Sequence, residues 1–247
     1  MTTLLQLPDE LLVHILGFTT NPLDLTSIAK VCTLLYRLAF DRYSTRSLII
    51  TNHMLNLALK HDIEWVILLA KDLNYCLEWA SRYGHTSTVS LLLDRGANIH
   101  TQEDAPLRWA SHRGHTATVS LLLDRGADIH VDNGAPLRWA SHNGHTSVVD
   151  ILLDHGADVH ARDDAPLRLA SENGHTSTVQ ILLLDHGANI HAWDDRSLRL
   201  ASDNGHTATV ALLLDRGADI HTDNDAPLRW ASRYGHTATV SLLQSRL

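Results

Sequence analysis

The chain has 247 residues, 44% of them hydrophobic and 19% charged, with a formal net charge of −8. That composition supports a packed core rather than disorder, and the acidic balance argues against a nucleic-acid binder, whose phosphates demand a basic footprint. Two cysteines, Cys32 and Cys76, imply no disulfide framework. With no membrane-length apolar run and no signal-peptide pattern at the N-terminus, the expected setting is reducing and intracellular, in the cytoplasm and/or nucleus, away from membranes.

Residues 1–46 do not repeat. Pro8 with Asp9 and Glu10 opens a helix, the acids lying at its positive end. Leu11, Leu12, Ile15 and Leu16 follow at helical spacing. "NPLD" opens a second helix, with Asn21 as cap and Pro22 at its first position; its stripe is Leu25, Ile28, Ala29 and Cys32. Leu34–Phe40 reads as a third. So small a group of apolar helices needs a surface to cover it. Residues 47–74 form a linker and a loose copy of what comes next, with Leu57-Ala58 and Val66-x-Leu68-Leu69 but no Gly-His. This segment reads as a degenerate unit capping the stack.

From residue 75 the chain repeats. Gly-His falls at 84–85, 114–115, 144–145, 174–175, 205–206 and 235–236, a period of 30 broken once by 31. The six units span 75–104, 105–134, 135–164, 165–195, 196–225 and 226–247. In the second, Pro106 suits a helix start, Leu107 and Ala110 share one face, and Gly114 supplies a left-handed end. Thr116 is placed to cap a second helix with the stripe Val119, Leu122, Leu123. Helices this short fold only by stacking, so the pattern predicts an all-α solenoid. The extra residue of the fourth unit, in Val179–Gly187, should be absorbed locally by a π-bulge or a looped-out residue near Leu183–His186. The last helix is expected to fray.

The unit "APLRWAS…GHT…VSLLLDRGADIH" resembles the ankyrin repeat, in a 30-residue form similar to arrays of large DNA viruses and some fungi. The resemblance implies helix–turn–helix units joined by short hairpin loops, and protein binding. The usual Thr and His near the unit start are replaced by Ala105, Ala135, Ala165, Ala226 or Arg196, and by Arg108, Arg138, Arg168, Arg199, Arg229 or Glu78. The arginines are expected to pair with loop acids such as Asp104, Asp164 and Asp225.

The head, with Leu7-Pro8-Asp9-Glu10-Leu11, Ile15-Leu16-x-Phe18, Asp24-Leu25, Val31-Cys32 and Leu38-Ala39, resembles the F-box. That resemblance implies docking on a Skp1-like protein through Leu7, Pro8, Leu11, Leu12, Ile15, Leu16, Leu25, Val31, Cys32 and Leu38, hence an adaptor of an SCF-type ubiquitin ligase. The alternative is a plain ankyrin scaffold or inhibitor with a helical cap.

No catalytic signature stands out. Ser, His and Asp recur in every unit, as in Ser111, His115 and Asp124, and so serve the fold rather than a singular nucleophile. Eighteen histidines invite a metal, but equivalent residues of neighbouring units stand too far apart to share an ion. No metal, cofactor or enzymatic activity is expected, and the chain is read as a monomer. The letters that change are the better clue. Before each Gly-His stand Arg82-Tyr83, His112-Arg113, His142-Asn143, Glu172-Asn173, Asp203-Asn204 and Arg233-Tyr234. Three residues earlier lies Trp79, Trp109, Trp139 or Trp230, with Leu169 and Leu200 in the fourth and fifth units. Trp, Tyr and Arg are the residues of binding hot spots, so these positions, with Trp193 in a loop, form the expected target-binding groove.

Overall fold

The computed structural model describes residues 72–247; the head and residues 47–71 lie outside the described residues, and with them every position expected to dock Skp1. Each unit contributes two antiparallel helices. The first helices are α1 (Leu73–Tyr83), α3 (Thr101–Arg113), α5 (Val131–His142), α7 (Ala161–Glu172), α9 (Ala192–Asp203) and α11 (Thr222–Arg233). The second helices are α2 (Thr86–Asp94), α4 (Thr116–Asp124), α6 (Thr146–Asp154), α8 (Thr176–Leu184), α10 (Thr207–Asp215) and α12 (Thr237–Arg246). Among the described residues there is no strand.

The core is one column of each unit's apolar positions. Leu77, Leu107, Leu137, Leu167 and Leu198 are fully buried, as are Val89, Val119, Val149, Val179 and Val210. First helices pack on one another more extensively than second helices do, which makes their row the inner side of the stack. The first unit lacks the proline start, and Asp72 caps α1 instead, accepting from the N–H groups of Asn74 and Tyr75 at 3.0 Å.

The connections take a form that the sequence does not announce. Each holds three consecutive residues in the left-handed region: Gln102–Asp104, Asp132–Gly134, Arg162–Asp164, Trp193–Asp195 and Asp223–Asp225. A left-handed residue with a side chain costs roughly 1–2 kcal/mol, least for Asp and Asn. Eleven of these fifteen positions are Asp, Asn or Gly, so the acidity of the loops is first of all a backbone device.

A knot of hydrogen bonds holds three of these turns. His100 Nδ1 donates to Asp104 Oδ1 at 3.1 Å, and that same oxygen accepts the N–H of Asp128, in the next unit, at 2.8 Å. His160 and Asp164 repeat this with Asn189, and His191 and Asp195 with Asp219. The unit arginines do not chiefly seek loop carboxylates. They cap loop carbonyls, Arg108 on Gln102 O, Arg168 on Arg162 O and Asp163 O, and Arg229 on Asp223 O, while Arg138 and Arg199 also reach the loop carboxylates of Asp132 at 3.3 Å and Asp223 at 2.8 Å. The expected pairing of Arg with Asp104, Asp164 and Asp225 is thus corrected, because histidine already holds those acids. Glu78, in the arginine's place in the first unit, accepts from Thr101 Oγ1 at 3.2 Å; burial, ahead of the Thr101 bond that opposes it, raises its pKa.

Gly-His is the seam between units. Nε2 of His115, His145, His175, His206 and His236 donates to the carbonyl of Arg82, His112, His142, Glu172 and Asp203 respectively, at 2.8–3.0 Å. The ring lies on the previous unit's glycine. A Cβ on Gly84 or Gly114 would meet the next histidine's Nδ1 at 2.5 or 2.6 Å, so both the positive φ and this approach require glycine. Thr116 does not cap α4; His115 stands at the cap position, and its side chain makes no bond to the helix's first N–H groups. The threonines form a ladder instead, with the Oγ1 atoms of Thr86 and Thr118, Thr146 and Thr178, Thr176 and Thr209, and Thr207 and Thr239 at 2.8–2.9 Å.

The surplus residue of the fourth unit lies after the helix, not in it. α8 has nine residues like α4, with no π-bulge. Ala188 N–H reaches back to Leu182 O across six residues, where Ala127 reaches Leu122 O across five. The turn is looped out by one residue, and Leu184, where four sister units carry Asp, is 42% exposed. The final helix does not fray as expected: α12 runs to Arg246, whose guanidinium pairs with Asp215 at 2.8 Å.

Candidate functional site

The variable residues stand at the C-terminal ends of the first helices and in the turns that follow, along the inner row. Each first helix ends beside the Gly-His seam, so the seam that fixes the stack also fixes the position of these side chains. The structure joins the first three units into one ladder of rings and cations. Trp79 packs on Tyr83 with centroids 4.2 Å apart and stacks on His85 at 5.5 Å. The Arg82 guanidinium lies 4.4 Å from the Trp109 centroid. His112 stands between Trp109 and Trp139, edge-on to both at 5.8 and 5.6 Å. Arg108 approaches the other side of the ladder, 5.8 Å from Trp139. These are cation–π and edge-to-face geometries.

The tryptophans are therefore both packed and partly exposed, as their half-buried state shows. Tyr83 is 50% exposed and Tyr234 56%, so the aromatic area at both ends faces solvent. At the far end Arg233 lies 5.2 Å from Trp230, which packs on Tyr234 at 6.1 Å. Between the ends, Leu169 and Leu200 replace tryptophan and Glu172 and Asp203 replace the cations, giving an acidic, ring-free centre.

Not every changing letter is free to recognise a partner. The side-chain amides of Asn143, Asn173 and Asn204 donate to Trp139 O, Leu169 O and Leu200 O at 2.8–3.0 Å, closing the ends of their own helices. Asn173 also donates to His142 Nδ1 at 3.0 Å. Arg113, Arg233 and Tyr234 are exposed, while Arg82 Nε, His112 Nδ1 and Asp203 Oδ1 are buried atoms without a hydrogen-bond partner. Burial, reinforced by Arg113 and neighbouring histidines, lowers the pKa of His112 below the ordinary histidine value. Burial does the same to His115, against its bond to Arg82 O.

Trp193 is set apart from this row. It opens the turn of α9 at φ 56° and is 55% exposed, with Arg168 and Arg196 at 5.0 and 6.0 Å from its ring. Gln102, Asp132, Arg162 and Asp223 hold this place in sister turns. A bulky ring in left-handed backbone is an unfavourable choice for folding alone.

Comparison with known proteins agrees with this architecture. A model of ankyrin repeats matches overlapping stretches at 50–133, 77–163, 131–194 and 167–246. The chain belongs to the ankyrin-repeat family. An F-box-like model matches residues 4–50, directly ahead of the ankyrin repeats. The crystal structure of the human ASB11 ankyrin repeat domain is similar, with 27% identity and a TM-score of 0.62, covering 68% of this chain and 82% of that one. No curated protein matches. Thirty-residue ankyrin units with left-handed turns thus carry the F-box-like segment on one chain.

Proposed function

We propose that this ankyrin protein is the substrate-recognition adaptor of an SCF-type ubiquitin ligase. The observation that carries the reading is the succession on one chain of an F-box-like segment at 4–50 and ankyrin repeats to residue 246. The head docks a Skp1-like protein through Leu11, Ile15, Leu16 and the neighbouring apolar positions, and the inner face of the stack holds a target. The chain itself performs no reaction. It raises the effective concentration of target at the ligase, as a tether does, in the cytoplasm or nucleus.

The face suits a protein target. Aromatic and cationic anchors at its two ends, around Tyr83, Arg113, Arg233 and Tyr234, supply hot-spot chemistry. The acidic centre at Glu172 and Asp203 gives the target a register, since charge complementarity selects partners more than it adds affinity. Co-purification of the full chain with Skp1 tests the ligase link. The wild-type chain should retain Skp1, and Leu11→Asp with Ile15→Asp should release it while the ankyrin helices keep their circular dichroism and melting temperature. A wild-type chain that never binds Skp1 removes the ligase and leaves a scaffold.

A further inference from the structure

The one break in the repeat period lies in the fourth unit where it packs on the third, and it gathers groups that no other junction among the described residues brings together. Asp150 and Asp154 stand one helical turn apart on α6, so both carboxylates leave the same side. His186 lies in the looped-out turn after α8, its Nε2 3.8 Å from Asp150 Oδ1. One ligand atom from each of Asp150, Asp154 and His186 falls within 4.8 Å of the others.

Sister junctions match one cation-forming side chain to one acid. Arg125 meets Asp94 at 2.8 Å, His155 meets Asp124 at 3.9 Å and Arg246 meets Asp215 at 2.8 Å. The place of Asp150 is serine in three sister units, Ser90, Ser120 and Ser241, and Gln180 or Ala211 in the others. At the irregular junction the surplus residue carries His186 one step further along the chain, to an acid one turn earlier on α6. Two carboxylates then face a single imidazole, and like charges at this spacing repel.

We propose that Asp150, Asp154 and His186 form a site for a divalent transition-metal ion of the zinc type, bridging the third and fourth ankyrin units. Two carboxylate oxygens and one imidazole nitrogen make a ligand set suited to such ions, with a remaining position for water. Bonds near 2.1 Å place tetrahedral ligands about 3.4 Å apart. Asp150 is half exposed, so rotation of its side chain can close the present gap. The general objection to histidine pairs from equivalent positions does not apply, because His186 is out of register and its co-ligands come from the preceding unit. A bound ion would cancel the repulsion on α6 and clamp the looped-out turn of the fourth unit.

The test is calorimetric titration of zinc chloride into the full chain, beside Asp150→Ser and His186→Ala. Asp150→Ser installs the residue of three sister units, so the stack should fold. The wild type should bind one zinc equivalent more than either variant, and saturating zinc should raise its melting temperature further than theirs. Equal stoichiometry and affinity in all three proteins would overturn the site, placing any zinc on other histidines. Binding of calcium or magnesium by the wild type but not by Asp150→Ser would overturn the assignment to transition metals, since those ions prefer oxygen ligands alone.

Discussion

Gly144 and His145 recur in all six units, whereas His142 and Asn143, just before them, change from unit to unit. The first pair belongs to the seam, with a ring on a glycine, a donor on a carbonyl and no room for a Cβ. The second pair belongs to the face, where a side chain meets solvent, a neighbouring ring or its own helix end. Recognition can vary here without loosening the stack because the seam is made by backbone carbonyls, glycines and one histidine per unit, none of which the face replaces.

The sharpest way to break this contrast is to put a Cβ into the seam. Gly144 and Gly235 have nearly the same φ, 70° and 75°, but a Cβ on Gly144 would lie 2.4 Å from His175 Nδ1 while one on Gly235 meets nothing within 4 Å. Gly235→Ala should therefore cost only the backbone penalty of roughly 1–2 kcal/mol. Gly144→Ala should add the displaced His175 bond, for a total of about 2–3 kcal/mol by urea denaturation. Equal losses would show that the ring contact adds nothing to the seam.

A second test repairs the one turn that lacks its acid. Gly134 stands where Asp104, Asp164 and Asp195 serve, so Gly134→Asp should offer His130 and the N–H of Asp158 a carboxylate. Its Cβ would lie 3.0 Å from that of Ala161, which must yield slightly. We expect the new hydrogen bonds to offset the left-handed backbone penalty, leaving stability within about 1 kcal/mol of wild type; a larger loss would mean that Ala161 cannot move. Deleting Leu184 should have a smaller effect. It removes an exposed leucine and restores the period, so stability should rise by less than about 1 kcal/mol or hold constant, and zinc uptake at His186 should vanish. An unfolded deletion would place the surplus residue in the core.

Acid probes the border between seam and face. His112 and His115 have pKa values lowered by burial, so the fold favours their neutral forms. Their contribution is complete above the unfolded value near ~6.5 and is lost as pH falls below it. The urea midpoint should drop from pH 7.5 to 5.5, and His112→Gln should make that drop shallower. An unchanged slope would clear His112 of the effect.

Much of the fold could be read from spacing alone. The Gly-His period located the units, and Leu107, Ala110, Val119 and Leu122 marked the faces that are indeed buried. The left-handed turns left a trace in the Asp and Asn clusters, but the same letters also read as acidic surface, and only backbone angles separate the two. Arg108 was misassigned because the left-handed turn turns the Gln102 carbonyl toward it, and the role of threonines such as Thr86 was missed because it reaches Thr118 in the next unit, at a distance set by stacking that no local pattern encodes. The site was legible as a row of changing letters. That Asn143, Asn173 and Asn204 close their own helices follows from local bonds to the carbonyl four residues before, which a row of changing letters hides, and that Asp150, Asp154 and His186 converge depends on where the surplus residue settles.

The account turns most directly on whether head and face act as two separable halves of one tether. The decisive measurement is quantitative capture, with ubiquitin-site profiling, from cells expressing the wild-type chain, Leu11→Asp with Ile15→Asp, or Tyr83→Ala with Arg113→Glu and Tyr234→Ala. The face variant should fold within about 0.5 kcal/mol of wild type, keep Skp1 and lose the captured targets. The head variant should keep those targets but lose their ubiquitination. A face variant that holds the same proteins as wild type, or targets ubiquitinated equally without a working head, would contradict it.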